Sequence, residues 1–408
     1  MPPSKASRLR QIALVVAAAG VAIWVTLAVT LPAIYEGLSP DLSVGGWPSS
    51  ADVRIAEARE AFSNGGPAGE QAATRDLAEA VVAEPLNAPG FRDLGLVMES
   101  RGKQAEARKL FGYAHWLSRR DATTELWMIE ERVKAGDIEG VLAHYDHGLR
   151  TSRQLQTVLV PMLVSASADP MVAAPLGRML SQRPPWWVNF ADQLAASFTN
   201  PETAAALLRK LPLDPQDARH RSDLTASISR LVALSAFDEA KALALRASPG
   251  GAKATAAIVD GSFEQRGGLP PFAWELLDEP NLAAVLEPRD GAVGSTALSL
   301  IAASGRGGTV AKQLILLEPG RYVLHGLAGQ VSGAERDRPR IALTCSGFGS
   351  GPLSVTSLPA TTQARRFQAA FEVPAGCAAQ WLSVELTGLG DEPPANAPWI
   401  DDLQIRRN

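Results

Sequence analysis

Phe91-Arg92-Asp93-Leu94-Gly95-Leu96-Val97-Met98, followed by Gly102, Ala107, Phe111 and Ala114, is the stretch from which the organisation of the chain follows. Apolar residues recur at helical spacing on both sides of Gly102, so it reads as two amphipathic helices joined by a tight turn. The pattern returns at intervals of 34 residues: Ala73, Ala107 and Val141; Leu77, Phe111 and Tyr145; Ala80, Ala114 and Gly148; and Gly102 and Gly136 at the turn. A helical hairpin has one apolar face that it cannot bury alone, and small residues at fixed places let the next hairpin approach closely. A period of this length therefore predicts a stacked array of helix–turn–helix units. Asn200-Pro201-Glu202 supplies an N-cap and a Pro at the first helical position, and Phe237–Arg246 reads as the second helix of a late unit. The array thus extends over 51–248.

Upstream, Ile12 to Leu31 is a run of 20 residues without a formal charge. At about 1.5 Å per residue, a helix of that length crosses a hydrocarbon core of about 30 Å. Lys5, Arg8 and Arg10 precede the run, while Glu36 and Asp41 follow it, a bias that keeps the N-terminus in the cytoplasm. The competing reading is a cleaved signal peptide, whose apolar core is shorter, about 7–15 residues. On the anchor reading, residues 1–35 are a cytoplasmic tail and a single transmembrane helix that meets the membrane through 12–31. Residues 36–50 are a linker rich in Gly, Pro and Ser, and the bulk of the chain is periplasmic.

Downstream, the composition changes near Ser248-Pro249-Gly250-Gly251, and residues 255–408 read as a strand-rich domain. Strands are predicted over Ala297–Ala302, Lys312–Leu317, Arg321–Leu327, Arg340–Cys345, Arg366–Val373, Gln380–Leu386 and Ile400–Ile405. Between two of them, Glu318-Pro319-Gly320-Arg321 fits a type II turn. Several short strands with such punctuation predict an antiparallel β-sandwich. Within Gln380–Leu386, Leu382, Val384 and Leu386 share one face, while Trp381 shares the other with Ser383 and Glu385, which sets an aromatic ring among polar groups.

The 408 residues carry 39 basic and 43 acidic side chains, a formal charge of −4, which argues against a nucleic-acid partner. Its two cysteines, Cys345 and Cys377, both fall in the sandwich, at the end of one strand and before another. In an oxidising compartment they are expected to form a disulfide; the alternative is two buried thiols. His144 and His147 stand three apart on a predicted helix with no third ligand in view, and read as solvated. Gly-x-Ser-x-Gly, Walker, dinucleotide-binding and His-Glu-x-x-His signatures are all missing from the sequence, so a non-enzyme is expected.

The stretch from Phe91 to Ala114 resembles the tetratricopeptide repeat, with Pro85 where the preceding unit would close. Glu125 and Arg132 depart from it, standing where an aromatic and a tyrosine are usual. This resemblance implies a groove that receives a protein partner; the plainer alternative is a spacer. The sandwich resembles the galactose-binding-like jelly rolls of carbohydrate-binding modules, through Asp260-Gly261-Ser262-Phe263-Glu264, Phe272-Ala273-Trp274, Gln313 to Tyr322, and Trp399-Ile400-Asp401-Asp402-Leu403-Gln404-Ile405. That resemblance implies a structural calcium held by Glu264, Asp401 and Asp402, with hydrogen bonding to loop amides or an Arg as the alternative. It also implies glycan contact through Trp381, Trp274 or Trp399.

Together these readings give a multi-domain α + β chain: one transmembrane helix, a helical hairpin array and a C-terminal antiparallel jelly roll. The expected role is a membrane-anchored scaffold in assembly or export of a cell-surface polysaccharide. An envelope protein would bind 51–248 and a polysaccharide 255–408. The alternatives are a protein-only scaffold of an envelope complex and, less favoured, a carbohydrate-active enzyme.

Overall fold

The computed structural model describes residues 51–248, 256–265, 267–303, 305–347, 351–387 and 397–408. The apolar run 12–31, the linker 36–50 and residues 249–251 of the expected boundary lie outside them. Among the described residues no helix is long and apolar enough to cross a membrane. Twelve helices precede an antiparallel β-sandwich among the described residues. Helix gives way to strand where the composition shifts, the last helix ending at Ala247 and the first strand starting at Glu275. The chain nevertheless divides into compact units between Leu159 and Val160, inside a helix, rather than near Ser248.

The first unit stacks three hairpins: α1 (Ala51–Asn64) on α2 (Gly66–Ala83), α3 (Ala88–Ser100) on α4 (Gln104–Leu117), and α5 (Ala122–Lys134) on α6 (Ile138–Thr151). Asn87, Asp121 and Asp137 cap α3, α5 and α6, each side-chain oxygen accepting a backbone N–H of the first turn at 2.8–3.0 Å. This satisfies donors that a helix start otherwise leaves open. Gly102 and Gly136 adopt φ of 74° and 69°, and the following N–H groups reach back to Met98 and Arg132 carbonyls at 2.9 and 3.0 Å. Such left-handed closures favour glycine because it has no Cβ. The small and aromatic residues of the 34-residue spacing form the seam: Ala73, Leu77, Ala80, Ala107, Phe111 and Ala114 are all at most 1% exposed.

Helix α7 (Arg153–Ala166) runs into the second unit, which continues with α8 (Pro170–Leu180), α9 (Trp187–Ser197), α10 (Pro201–Leu208), α11 (Ala218–Ala233) and α12 (Phe237–Ala247). Here α9 packs on α11, while α8, α10 and α12 pack in succession, so first and second helices form separate rows. Asn200 caps α10 through the N–H groups of Glu202 and Thr203. Arg221 of α11 donates to the carbonyls of Gly267 and Gly268 at 3.1 and 2.7 Å, tying this row to the entrance of the sandwich.

The sandwich comprises β1 (Glu275–Leu276), β2 (Asp278–Glu279), β3 (Leu282–Glu287), β4 (Ala297–Ala302), β5 (Gly308–Ile315), β6 (Gly320–Gly329), β7 (Arg340–Cys345), β8 (Pro352–Ser357), β9 (Arg365–Val373), β10 (Gln380–Leu386) and β11 (Trp399–Arg407). One sheet runs β1-β5-β10-β7-β8 and the other β2-β3-β4-β11-β6-β9, with antiparallel pairing throughout. Leu382, Val384 and Leu386 from the first sheet meet Leu298, Leu324 and Leu403 from the second in one continuous core. Gly320 opens β6 at φ 154°, well beyond the roughly +80° of the expected type II turn. Cys345 and Cys377 are joined by a disulfide, with Cα atoms 5.7 Å apart.

Candidate functional site

The outer face of the five-stranded sheet is built around Trp381. Because β10 is the central strand, its outward residues have a partner on either side. Trp381 lies opposite Leu314 of β5 and Thr344 of β7, Ser383 opposite Lys312 and Ala342, and Glu385 opposite Thr309 and Arg340. The ring is half-buried, which leaves part of it accessible on a rigid sheet. The Lys312 ammonium stands 5.1 Å from the ring centroid, within cation–π range. Lys312 also pairs with Glu275 of β1 at 2.8 Å, and Arg340 pairs with Glu385 at 3.1 Å. Both pairs are partly exposed, so they fix side-chain geometry more than they stabilise the fold. The result is one aromatic platform framed by two charge pairs and by Thr344, while Ser383 is buried. An arrangement of this kind can stack on an apolar sugar face and hydrogen-bond the hydroxyls at its edge.

The other expected aromatic contacts lie elsewhere. Trp274 packs on the core, 5.3 Å from the Phe263 ring, and its indole N–H donates to the Asp260 carbonyl at 3.2 Å. Since it stands outside the strands, no alternation lifts it onto the sheet's outer face. Trp399 is 2% exposed and lies against Gly329, where an added Cβ would come within 2.2 Å of the indole. Both tryptophans are therefore packing residues.

The carboxylates expected to hold calcium form a latch between loops. Glu264 Oε1 accepts the N–H groups of Ser295 and Thr296 at 2.6 and 2.7 Å, and Oε2 accepts the Ser295 hydroxyl at 2.5 Å. These donors hold its carboxyl down to about 2. Asp401, fully buried, accepts the N–H groups of Val293 and Asp402 at 2.6 Å each. Burial pushes its carboxyl up despite those donors, and the nearby Asp402 and Glu264 charges add to the rise. Asp260 is raised in the same way by burial and by the Glu264 and Asp401 charges. Asp402 turns to Arg366, whose Nη1 lies 3.0 Å away, and to the Gln404 amide at 2.7 Å. Calcium needs six to eight oxygens with free lone pairs. Here donors already point at the oxygens of Glu264 and Asp401, while Asp402 is engaged by an arginine, so this set does not fit the ion. The expected calcium triad is a set of hydrogen-bonded carboxylates.

The helical unit holds two further features. A cleft of about 330 Å³ is lined by Arg59, Phe62, Leu77, Arg92, Asp93 and Leu96, among others. A charge ladder crosses it: Arg59 to Asp93 at 2.8 Å, Arg92 to Asp93 at 2.6 Å and Arg92 to Asp121 at 2.6 Å. Behind the helices, His144 is buried rather than solvated and meets Glu125, with His115 and His147 beside it. Sequence reading missed His115 because it lies in a different hairpin. The visible signal was Glu125 itself, an acid where the repeat favours an aromatic. Lys312 and Arg340 were also missed, since their place beside Trp381 depends on strand order.

No family model matches the sequence, and no curated protein matches it. Solved structures similar to the chain include the enzymatically active domain of bacteriophage CBA120 tailspike protein 4, at 13% identity and TM-score 0.28, covering 38% of this chain and 21% of that one. A family 16 carbohydrate-binding module matches at 15% identity and TM-score 0.26, covering 37% of this chain and 99% of that one. TmCBM61 in complex with beta-1,4-galactotriose matches at 14% identity and TM-score 0.27, covering 38% of this chain and 100% of that one.

Proposed function

We propose that this protein is a non-enzymatic envelope scaffold whose sandwich binds a polysaccharide across the outer face of the five-stranded sheet. The observation that carries this reading is Trp381, half-buried on the central strand and framed by Lys312–Glu275 and Arg340–Glu385. An aromatic ring set among fixed polar groups on a rigid sheet suits a sugar ring, which presents an apolar face and a hydroxylated edge.

The helical hairpins supply the second interaction in this reading, as a tetratricopeptide-like array that receives an envelope protein. Support comes from the 34-residue spacing, the left-handed glycines at 102 and 136, and the cleft at Arg59, Arg92 and Asp93. The tether in this reading is the apolar run 12–31, with its basic N-terminal flank, which leaves the bulk of the protein periplasmic.

A glycan array probed with the full-length chain tests the proposal, with Trp381→Ala beside it. Selective binding by the wild type and its loss in the variant support it. Absence of binding to any glycan would leave the protein-only scaffold.

A further inference from the structure

The helical unit contains a side-chain cluster that glycan and partner binding leave unused. Glu125, in the first turn of α5, is 0% exposed. A carboxylate removed from water must be compensated by its neighbours. Three imidazoles surround it. His115 comes from the last turn of α4, and His144 and His147 from one face of α6. His115 Nδ1 lies 2.8 Å from Glu125 Oε1, while His144 Nδ1 and His147 Nδ1 lie 2.8 and 3.6 Å from Oε2. The three ring centroids are 4.9–5.9 Å apart. One ligand atom from each of the four residues lies within 4.8 Å of all the others, and no other such group occurs among the described residues.

We propose that His115, Glu125, His144 and His147 form a structural zinc site that staples the α3–α4 hairpin to the α5–α6 hairpin. Hydrogen-bond accounting is the first reason. His147 Nδ1 is sealed from solvent and has no hydrogen-bond partner, so it carries either a proton without an acceptor or a lone pair without a donor. Either state is costly in a buried site. A metal ion takes the lone pair at His147 together with those at His115 and His144.

Geometry and donor chemistry select the ion. Zinc binds imidazole nitrogen and carboxylate oxygen at about 2.0–2.1 Å, which sets tetrahedral ligand atoms about 3.3–3.4 Å apart. Present separations of 2.8–4.8 Å bracket that value, so small side-chain rotations complete the shell. Three nitrogens and one carboxylate suit zinc far better than calcium or magnesium, and the set lacks the thiolates that favour copper(I). Four protein ligands leave no open position, which makes the site structural rather than catalytic.

The repeat register points the same way. Glu125, His144 and His147 stand 34 residues after Phe91, Leu110 and Tyr113. In that earlier hairpin, Phe91 and Tyr113 make the equivalent contact between α3 and α4, with rings 4.5 Å apart. One hairpin therefore closes with an aromatic pair and the next with a ligand set. This equivalence also supplies a control, Glu125→Phe with His147→Tyr, which sets the earlier pair at the corresponding positions.

The test uses the full-length, tag-free chain, stripped with a chelator and titrated with zinc by calorimetry. Wild-type protein is expected to bind one zinc and to melt higher with it. In the double variant, and in His147→Gln alone, zinc affinity should fall by more than the roughly 10–100-fold that loss of an outer-shell contact costs. Should the double variant not fold, His147→Gln read by visible absorption of bound cobalt(II) decides. Zinc binding no tighter in the wild type than in His147→Gln would overturn the site, and the cluster would then be a buried carboxylate hydrogen-bonded to imidazoles.

Discussion

Glu264 holds Ser295 twice, Oε1 accepting its backbone N–H at 2.6 Å and Oε2 its hydroxyl at 2.5 Å. With Thr296 as a third donor, the turn before β4 is tied to the loop that opens the sandwich. Beside this contact, the Leu403 N–H donates to the Gly261 carbonyl at 2.8 Å, and a Cβ at Gly261 would come within 1.9 Å of the Leu403 carbonyl oxygen. The opening loop therefore lies directly on the last strand, and only glycine permits the approach.

The first prediction concerns acid stability. Glu264 titrates at about 2 in the folded chain against 4.5 for the free group. A depressed folded value contributes stability that is present above pH 4.5 and lost as pH falls toward 2. Asp260 and Asp401 are raised instead, so their protonation favours the folded state and opposes that loss. Subtracting the stability of Glu264→Gln from that of the wild type gives the Glu264 part together with its coupling to Asp260 and Asp401. The difference should be positive at pH 4.5 and should shrink as pH falls from there toward 2. Parallel curves would show that the latch does not act through the charge of Glu264. Millimolar calcium should leave both curves unmoved, because the carboxylate oxygens already have donors.

A second prediction follows from backbone conformation. Gly102 and Gly136 are left-handed, and nothing lies within 4 Å of a Cβ added at either. Alanine at either place should therefore cost only the left-handed penalty, about 1 kcal/mol. Ser235 adopts φ 60° at the same kind of closure, with the Ala236 N–H bonded to the Leu231 carbonyl at 2.9 Å. Ser235→Gly should stabilise by about 0.5–1 kcal/mol. Urea midpoints followed by helical circular dichroism check both signs. A lower midpoint for Ser235→Gly would contradict the account.

Third, the Cys345–Cys377 bridge closes a loop with a sequence separation of 32. Its removal by Cys345→Ser with Cys377→Ser should destabilise the sandwich by about 3–4 kcal/mol in the chain-entropy treatment. Denaturant unfolding of oxidised protein against the variant measures this. Equal midpoints would mean that the bridge does not constrain the unfolded chain.

Legibility of the chain in its sequence followed locality. β4, β7 and β10 begin and end where the apolar runs do, and alternation in β10 sets Trp381, Ser383 and Glu385 on one face. β3 was hidden because Leu282-Ala283-Ala284 is rich in alanine and carries little strand preference, and β8 because it opens with Pro352. Carboxylate roles were less legible. Asp401 and Asp402 are adjacent, yet one is buried against loop amides and the other faces an arginine across the sheet, an outcome of the irregular register between Asp401 and Gln404. The histidine cluster needed stacking of two hairpins, which periodicity predicts but whose facing residues it does not name.

The most direct measurement of the central claim is the affinity of the full-length chain for a polysaccharide selected on a glycan array, compared with Trp381→Ala. Removing a central aromatic platform should cost about 2 kcal/mol or more, about 30-fold in affinity, while the melting temperature stays within a few degrees of the wild type. Trp187→Ala, a half-buried tryptophan of the helical part, should bind the same polysaccharide as the wild type does. Undiminished binding by folded Trp381→Ala would contradict the assignment of this sheet face as the glycan site.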